Sequence, residues 1–112
     1  LRDVAPGVIG CNFDPSHMFW QGVDPVVAIR ALGDCIYHVH AKDCRVRDHV
    51  PVFGPLGEMG IDWRGQLAAL ARDGYRGAIS LETHWTGPGG DKFQGSIICG
   101  RNLQELVRHA GV

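Results

Sequence analysis

Nothing in the sequence approaches the roughly 18 consecutive apolar residues that a membrane-spanning helix requires, and no basic-then-apolar leader opens it. No membrane partner is expected, and the cytoplasm is the default location. Neither sign of charge prevails. Eleven basic and 12 acidic residues leave a formal net charge of -1, so the electrostatic footprint of a nucleic-acid binder is missing. The four cysteines, at 11, 35, 44 and 99, form no CxxC pair and no tight framework, which argues against a structural zinc site and a disulfide scaffold. They read as reduced thiols. Cys11 and Cys35 are expected to be small apolar fillers on strands; Cys44 has a preferred reading as a packing residue and a second as a reactive thiol. An initiator methionine is also missing: the chain starts at Leu1-Arg2-Asp3 and soon enters a β-prone run, so it reads as a fragment.

What is present is the composition of one modest globular domain, 45% hydrophobic and 21% charged over 112 residues. Residues 7–13 form a β-like run that leads into Asp14-Pro15-Ser16-His17. Asp24-Pro25 marks a helix start, a capping carboxylate followed by proline at the first helical position, and the helix runs to Gly33. A strand over 35–40 follows, then a long loop over 43–61. Asp62 caps the next helix, in which Trp63, Leu67 and Leu70 recur at helical spacing until Gly74 stops it. Gly77 to Glu82 is the third strand. A last helix over 92–110 carries Phe93, Ile97, Leu103, Leu106, Val107 and Ala110 on its apolar face. Strands that alternate with helices imply parallel pairing through right-handed crossovers, an α/β fold.

The polar residues carry the functional reading. Strands of a parallel sheet covered on both faces should be apolar runs, yet Asn12 and Asp14, His38 and His40, and Ser80, Glu82 and His84 each share a face. All three clusters fall at C-terminal strand ends, where ligands of α/β sheets and barrels bind. Asp14, His40 and Glu82 offer one imidazole and two carboxylates, a set that suits Mn, Mg, Co, Fe or Zn without selecting among them. Each residue also has a plain structural reading. Asp14 could cap the turn at Pro15, His17 could bond the backbone of that turn, Glu82 could pair with Arg76 or Lys42, and either histidine could be a hydrogen-bonded core residue.

Asn12-Phe13-Asp14-Pro15-Ser16-His17, His38-Val39-His40-Ala41-Lys42-Asp43 and Leu81-Glu82-Thr83-His84, in that order and spacing, resemble the xylose isomerase-like TIM barrels. The segments Gly57-Glu58-Met59-Gly60-Ile61-Asp62-Trp63 and Asp73-Gly74-Tyr75-Arg76-Gly77 extend the resemblance over nearly the whole chain. The resemblance implies that residues 1–112 are the C-terminal three βα units of a (β/α)8 barrel. It further implies that Asp14, His40 and Glu82 are three of four ligands of a divalent metal, often manganese, with a glutamate from an earlier strand as the fourth. In the epimerases of that family a histidine matching His17 contacts substrate oxygens, as does an arginine after the seventh strand. Counting to that arginine reaches Val46, with Arg45 and Arg47 on either side.

The activity the resemblance implies is isomerisation or epimerisation of a sugar or sugar derivative through an enediolate, with Glu82 as both ligand and general acid/base. Dehydration of an inosose-like polyol starts with the same proton abstraction and is the nearest alternative. DNA repair of the endonuclease IV kind fits less well, because it calls for several zinc ions, more histidines and a basic surface. A non-catalytic carbohydrate-binding barrel is the reading from outside enzymology. The partner expected is a small sugar-like molecule, and a homo-oligomer is compatible with the sequence.

Overall fold

Two Asp-Pro pairs start the first two helices, and each does so by the same local chemistry. Asp14 and Asp24 stand at N-caps with extended backbones, and their carboxylates accept the N–H of Ser16 at 3.0 Å and of Val26 at 2.9 Å. Pro15 and Pro25 follow at positions whose N–H would have no helical partner. In the computed structural model, which describes residues 3–110, these helices are α1 (Pro15–Trp20) and α2 (Pro25–Leu32). Three strands alternate with the helices: β1 (Cys11–Phe13), β2 (Ile36–Ala41) and, after a hairpin, the last parallel strand. The hairpin is β3 (Asp43–Arg47) with β4 (Val50–Gly54). Then come α3 (Trp63–Arg72), the last strand β5 (Ile79–Leu81) and α4 (Lys92–Ala110). No helix among the described residues is long and apolar enough to cross a membrane.

β1, β2 and β5 form one sheet in that spatial order, all parallel, with β2 central. Phe13 pairs with Val39, and His40 pairs with Ser80, so Asp14 comes level with His40, and Glu82 follows two positions past Ser80 at the same sheet end. The helices cover the other face of β2. Val39 and Ala41 are fully buried against them, while His38 and His40 alternate to the uncovered side. The core beneath is Phe13, Ile29, Leu56, Trp63, Leu67 and Leu70, each no more than 1% exposed. This is part of a barrel: parallel strands in sequence order with helices on the outer face.

Several expectations need correction. The stretch 43–61 is not all loop, because β3 and β4 pair antiparallel from Asp43–Gly54 to Arg47–Val50. Its two-residue turn uses Asp48 (φ 50°) and His49 (φ 64°) in the left-handed region, without the glycine that usually marks such a turn. Pro51 interrupts a strand pattern, yet it is tolerated in a two-stranded ribbon with free edges. The first strand is three residues rather than seven. The polar cluster Asp14-Pro15-Ser16-His17 that follows it is the cap and first turn of α1. Cys35 ends a 3-10 turn, Gly33–Cys35, instead of opening β2. Phe93 is 73% exposed, because the buried stripe of α4 runs through Gly95 and Cys99.

The turn makes a small prediction. Left-handed backbone costs an L residue about 1–2 kcal/mol, and glycine gives back roughly half of that through the unfolded chain. His49→Gly should therefore raise stability by about 0.5–1 kcal/mol in denaturant titrations.

Candidate metal centre

Asp14, His40 and Glu82 meet at the C-terminal end of the sheet. One ligand-type atom from each lies within 4.8 Å of the others. Backbone bonds set this convergence: Glu82 N–H donates to the Ala41 carbonyl at 3.0 Å, which carries the β2–β5 pairing one step past the strand. His40 Nδ1 stands 3.1 Å from Glu82 Oε2, and its Nε2 is 3.5 Å from the Asn12 amide.

Asp14 uses its two oxygens differently. Oδ1 caps α1, accepting from Ser16 N–H at 3.0 Å and Ser16 Oγ at 2.7 Å. Oδ2 is buried and has no well-directed hydrogen bond among the described residues; the Lys42 ammonium forms an ion pair with it at 2.9 Å. The capping role expected of Asp14 as an alternative is thus real, and it leaves one oxygen over. A buried carboxylate oxygen lacking a directed donor, beside an imidazole nitrogen and a second carboxylate, is a donor set that fits a divalent ion.

His17 joins the cluster, with Nε2 3.6 Å from Asp14 Oδ2 and its side chain 59% exposed toward the open end. Arg45 and Arg47 do not join it. Both stand exposed on β3, and the Arg45 guanidinium lies 3.7 Å from Met59 Sδ. Neither forms an ion pair with Asp14, His40 or Glu82 among the described residues. His38 lies one pleat below His40, its ring edge-on at 5.3 Å, and its Nε2 is 2.6 Å from Ser80 Oγ. His38 is thus a part-buried histidine hydrogen-bonded to a neighbouring strand, the plainer reading that an HxH pair offers.

Two residues carry more of the site than the sequence indicated. Lys42, 3% exposed, places Nζ 2.9 Å from Asp14 Oδ2 and 3.1 Å from Glu82 Oε2, with the Phe53 ring centroid 5.8 Å away. Burial pulls its pKa down, but the bonds to Asp14 and Glu82 outweigh this and hold it above the ordinary value. Conversely, the Lys42 bond holds the Glu82 carboxyl below its usual range against the effect of burial, with the Lys42, His40 and His84 charges adding to it. The signal was the pairing of Glu82 with Lys42 that competed with the metal reading. Asp43, 1% exposed, accepts four backbone N–H groups, from Cys44, Gly57, Met59 and Ile61. It folds the segment after the hairpin around itself, and Trp63 Nε1 then donates to the Lys42 carbonyl at 3.2 Å. Beside them Cys44 is fully buried; burial, then the Asp43 and Asp14 charges, push its thiol up to about 11. It is a packing residue and not a nucleophile.

A parallel-stranded α/β barrel portion with an Asp/His/Glu cluster at its C-terminal end is the class of protein that fold and site define. The family model described as xylose isomerase-like TIM barrel matches residues 1–103, and the chain belongs to that family. The uncharacterized protein YfiH of Bacillus subtilis (strain 168) is 33% identical over 103 residues, covering 73% of this chain and 33% of its own. An inosose dehydratase of Clostridium tetani is 25% identical over 116 residues, 89% of this chain and 39% of the enzyme. A xylose isomerase domain protein from Planctomyces limnophilus has the same fold, with a TM-score of 0.73 at 23% identity over 94% of this chain and 39% of that one. The chain therefore spans no more than 39% of the length of these relatives.

Proposed function

We propose that this chain forms part of the active site of a divalent-metal-dependent enzyme, manganese being the first candidate ion, that moves a proton on carbon beside a carbonyl of a sugar or sugar derivative. Isomerisation or epimerisation is the reading we take first. The observation that carries it is the meeting of Asp14, His40 and Glu82 within 4.8 Å at the ligand-binding end of the strands. Asp14 Oδ2, a nitrogen of His40 and a Glu82 oxygen would hold the ion; when bound, it supplies positive charge beside the substrate oxygens, where the enediolate charge develops.

The chain's own residues take the other parts. Glu82 is the general acid/base. Its side chain is 44% exposed, hence open to substrate, and the Lys42 bond holds its carboxyl below the usual range, which favours the carboxylate form. His17, exposed beside Asp14, is placed to hydrogen-bond substrate oxygens. Arg45 and Arg47 would reach substrate only from the hairpin. A small sugar-like substrate suits a site this polar.

Dehydration is a second reading, supported by the 25% identity to an inosose dehydratase over 89% of the chain. It shares the first proton transfer and differs in the product. Incubating the intact protein with Mn²⁺ in deuterated water, over a panel of ketoses, ketose phosphates and inososes, tests both readings. Metal-dependent exchange of a carbon-bound hydrogen is the expected result, and its absence across the panel would overturn them. An isomer or epimer in the product supports the first reading, and loss of water the second.

Metal content separates the two histidines. Asp14→Ala and His40→Ala should each strip the ion, whereas His38→Ala should leave the metal-to-protein ratio near the parent value, because His38 spends its nitrogen on Ser80. Elemental analysis of the purified variants checks this. Equal loss from His38→Ala would assign the wrong histidine.

A further inference from the structure

Lys42 is an unusual neighbour for a cation site. Its ammonium is almost wholly removed from water, at 3% exposure, and contacts the same two oxygens, Asp14 Oδ2 and Glu82 Oε2, that a metal would take. A buried ammonium is costly unless paired, and two converging carboxylates are costly unless a cation lies between them. Here each offsets the other. The backbone also holds the residue in place: Trp63 Nε1 bonds its carbonyl, and Asp43, next in the chain, is fixed by four N–H groups. Asp14 Oδ1 is committed to Ser16, so Oδ2 is the oxygen left for either cation.

We propose that Lys42 is a resident cation of this site: it holds Asp14 and Glu82 together when the divalent ion is absent, shares their oxygens when it is present, and thereby weakens the ion's binding. The inference rests on the metal-centre reading given above. Lys42 is a positioning residue in this scheme, since it acts through the two carboxylates. Two effects share one sign. Removing the ammonium leaves two uncompensated anions in the metal-free site, and it also removes a positive charge that repels the bound ion. Both tighten metal binding, while the first also destabilises the metal-free protein. A residue that only packs would shift stability and metal affinity in the same direction when removed.

The test is Mn²⁺ titration of the intact protein, with free Mn²⁺ read by electron paramagnetic resonance, alongside thermal unfolding without metal. Lys42→Met and Lys42→Gln should bind Mn²⁺ at least about tenfold more tightly, the scale of one unit charge a few ångströms away at an effective protein dielectric. Their metal-free melting temperature should fall. Lys42→Arg, which keeps the charge, should stay within about threefold of the parent by the same reasoning. Lys42→Gln retains N–H donors for both carboxylates and serves if the methionine variant does not fold. Parent protein that binds Mn²⁺ while the neutral variants bind it equally or more weakly would overturn the role of Lys42 and leave the metal centre standing. Parent protein that binds no divalent ion would overturn the metal centre itself, and this inference with it.

Discussion

Glu82→Gln should lower exchange of the substrate's carbon-bound hydrogen with deuterated water by at least about 10²-fold, the lower bound of what a positioned general base contributes. The amide keeps the shape of the side chain and one oxygen for Lys42 or a metal, but it cannot accept a proton at neutral pH. Glu82 Oε2 stands 3.1 Å from both His40 Nδ1 and Lys42 Nζ, so one atom is shared by the imidazole and the ammonium. Among the described residues Oε1 has one ion-pair neighbour, His84 Nε2 at 4.0 Å, which leaves it the freer oxygen for proton transfer. The variant should therefore retain part of its metal and lose the chemistry, and the two are measured separately, by elemental analysis and by exchange. Exchange at the parent rate with metal bound would make Glu82 structural and move the catalytic assignment elsewhere.

The cluster was legible from sequence because its members obey simple periodicities. Alternation along β2 put His38 and His40 on one face, and Asp24-Pro25 located the start of α2 to the residue, whereas the same pair at Asp14-Pro15 reads in sequence as a turn and not as the start of α1. The convergence of Asp14, His40 and Glu82 followed from the rule that ligand sites lie at C-terminal strand ends. The hairpin was not legible, because its turn carries Asp48 and His49 where a glycine signal is usual, and its second strand contains Pro51. The roles of Lys42 and Asp43 were hidden for another reason. A Lys-Asp pair after a strand reads as solvated loop, and only the wrapping of residues 57–61 turns it inward, where Lys42 is 3% and Asp43 1% exposed. Phe93 failed in the opposite sense: its apolar character was read as burial, but its position in the first turn of α4 lies off the stripe through Gly95 and Cys99.

Asp43→Asn should destabilise the protein by about 2 kcal/mol or more, although it differs from the parent by a single polar group. Asp43 Oδ1 accepts from Cys44 N–H at 2.9 Å and Ile61 N–H at 3.1 Å, and Oδ2 from Gly57 N–H at 2.8 Å and Met59 N–H at 3.3 Å. All four partners are donors, so an amide in either orientation turns its NH2 group against two of them. Each buried N–H left without an acceptor costs about 1–3 kcal/mol, roughly 2–6 kcal/mol for two. One effect works the other way. Burial pushes the Asp43 carboxyl above its ordinary pKa despite the four bonds that pull it down. A group whose folded pKa is raised stabilises the fold most under acid conditions and less as pH climbs past that pKa, so at neutral pH its charge is a cost that the amide relieves. We therefore place the net loss at the low end, which is still a large fraction of the 5–15 kcal/mol typical of a folded protein. The loss should also widen as pH falls, because the parent gains stability by protonating a carboxyl whose folded pKa is raised, and the amide variant has no such proton to bind. Denaturant unfolding of the intact parent and variant at neutral and mildly acid pH measures both effects. A difference below about 1 kcal/mol at neutral pH, the worth of one ordinary hydrogen bond, would show that the wrapping of residues 57–61 is held by the packing of Leu56 and Ile61 and not by the Asp43 carboxylate.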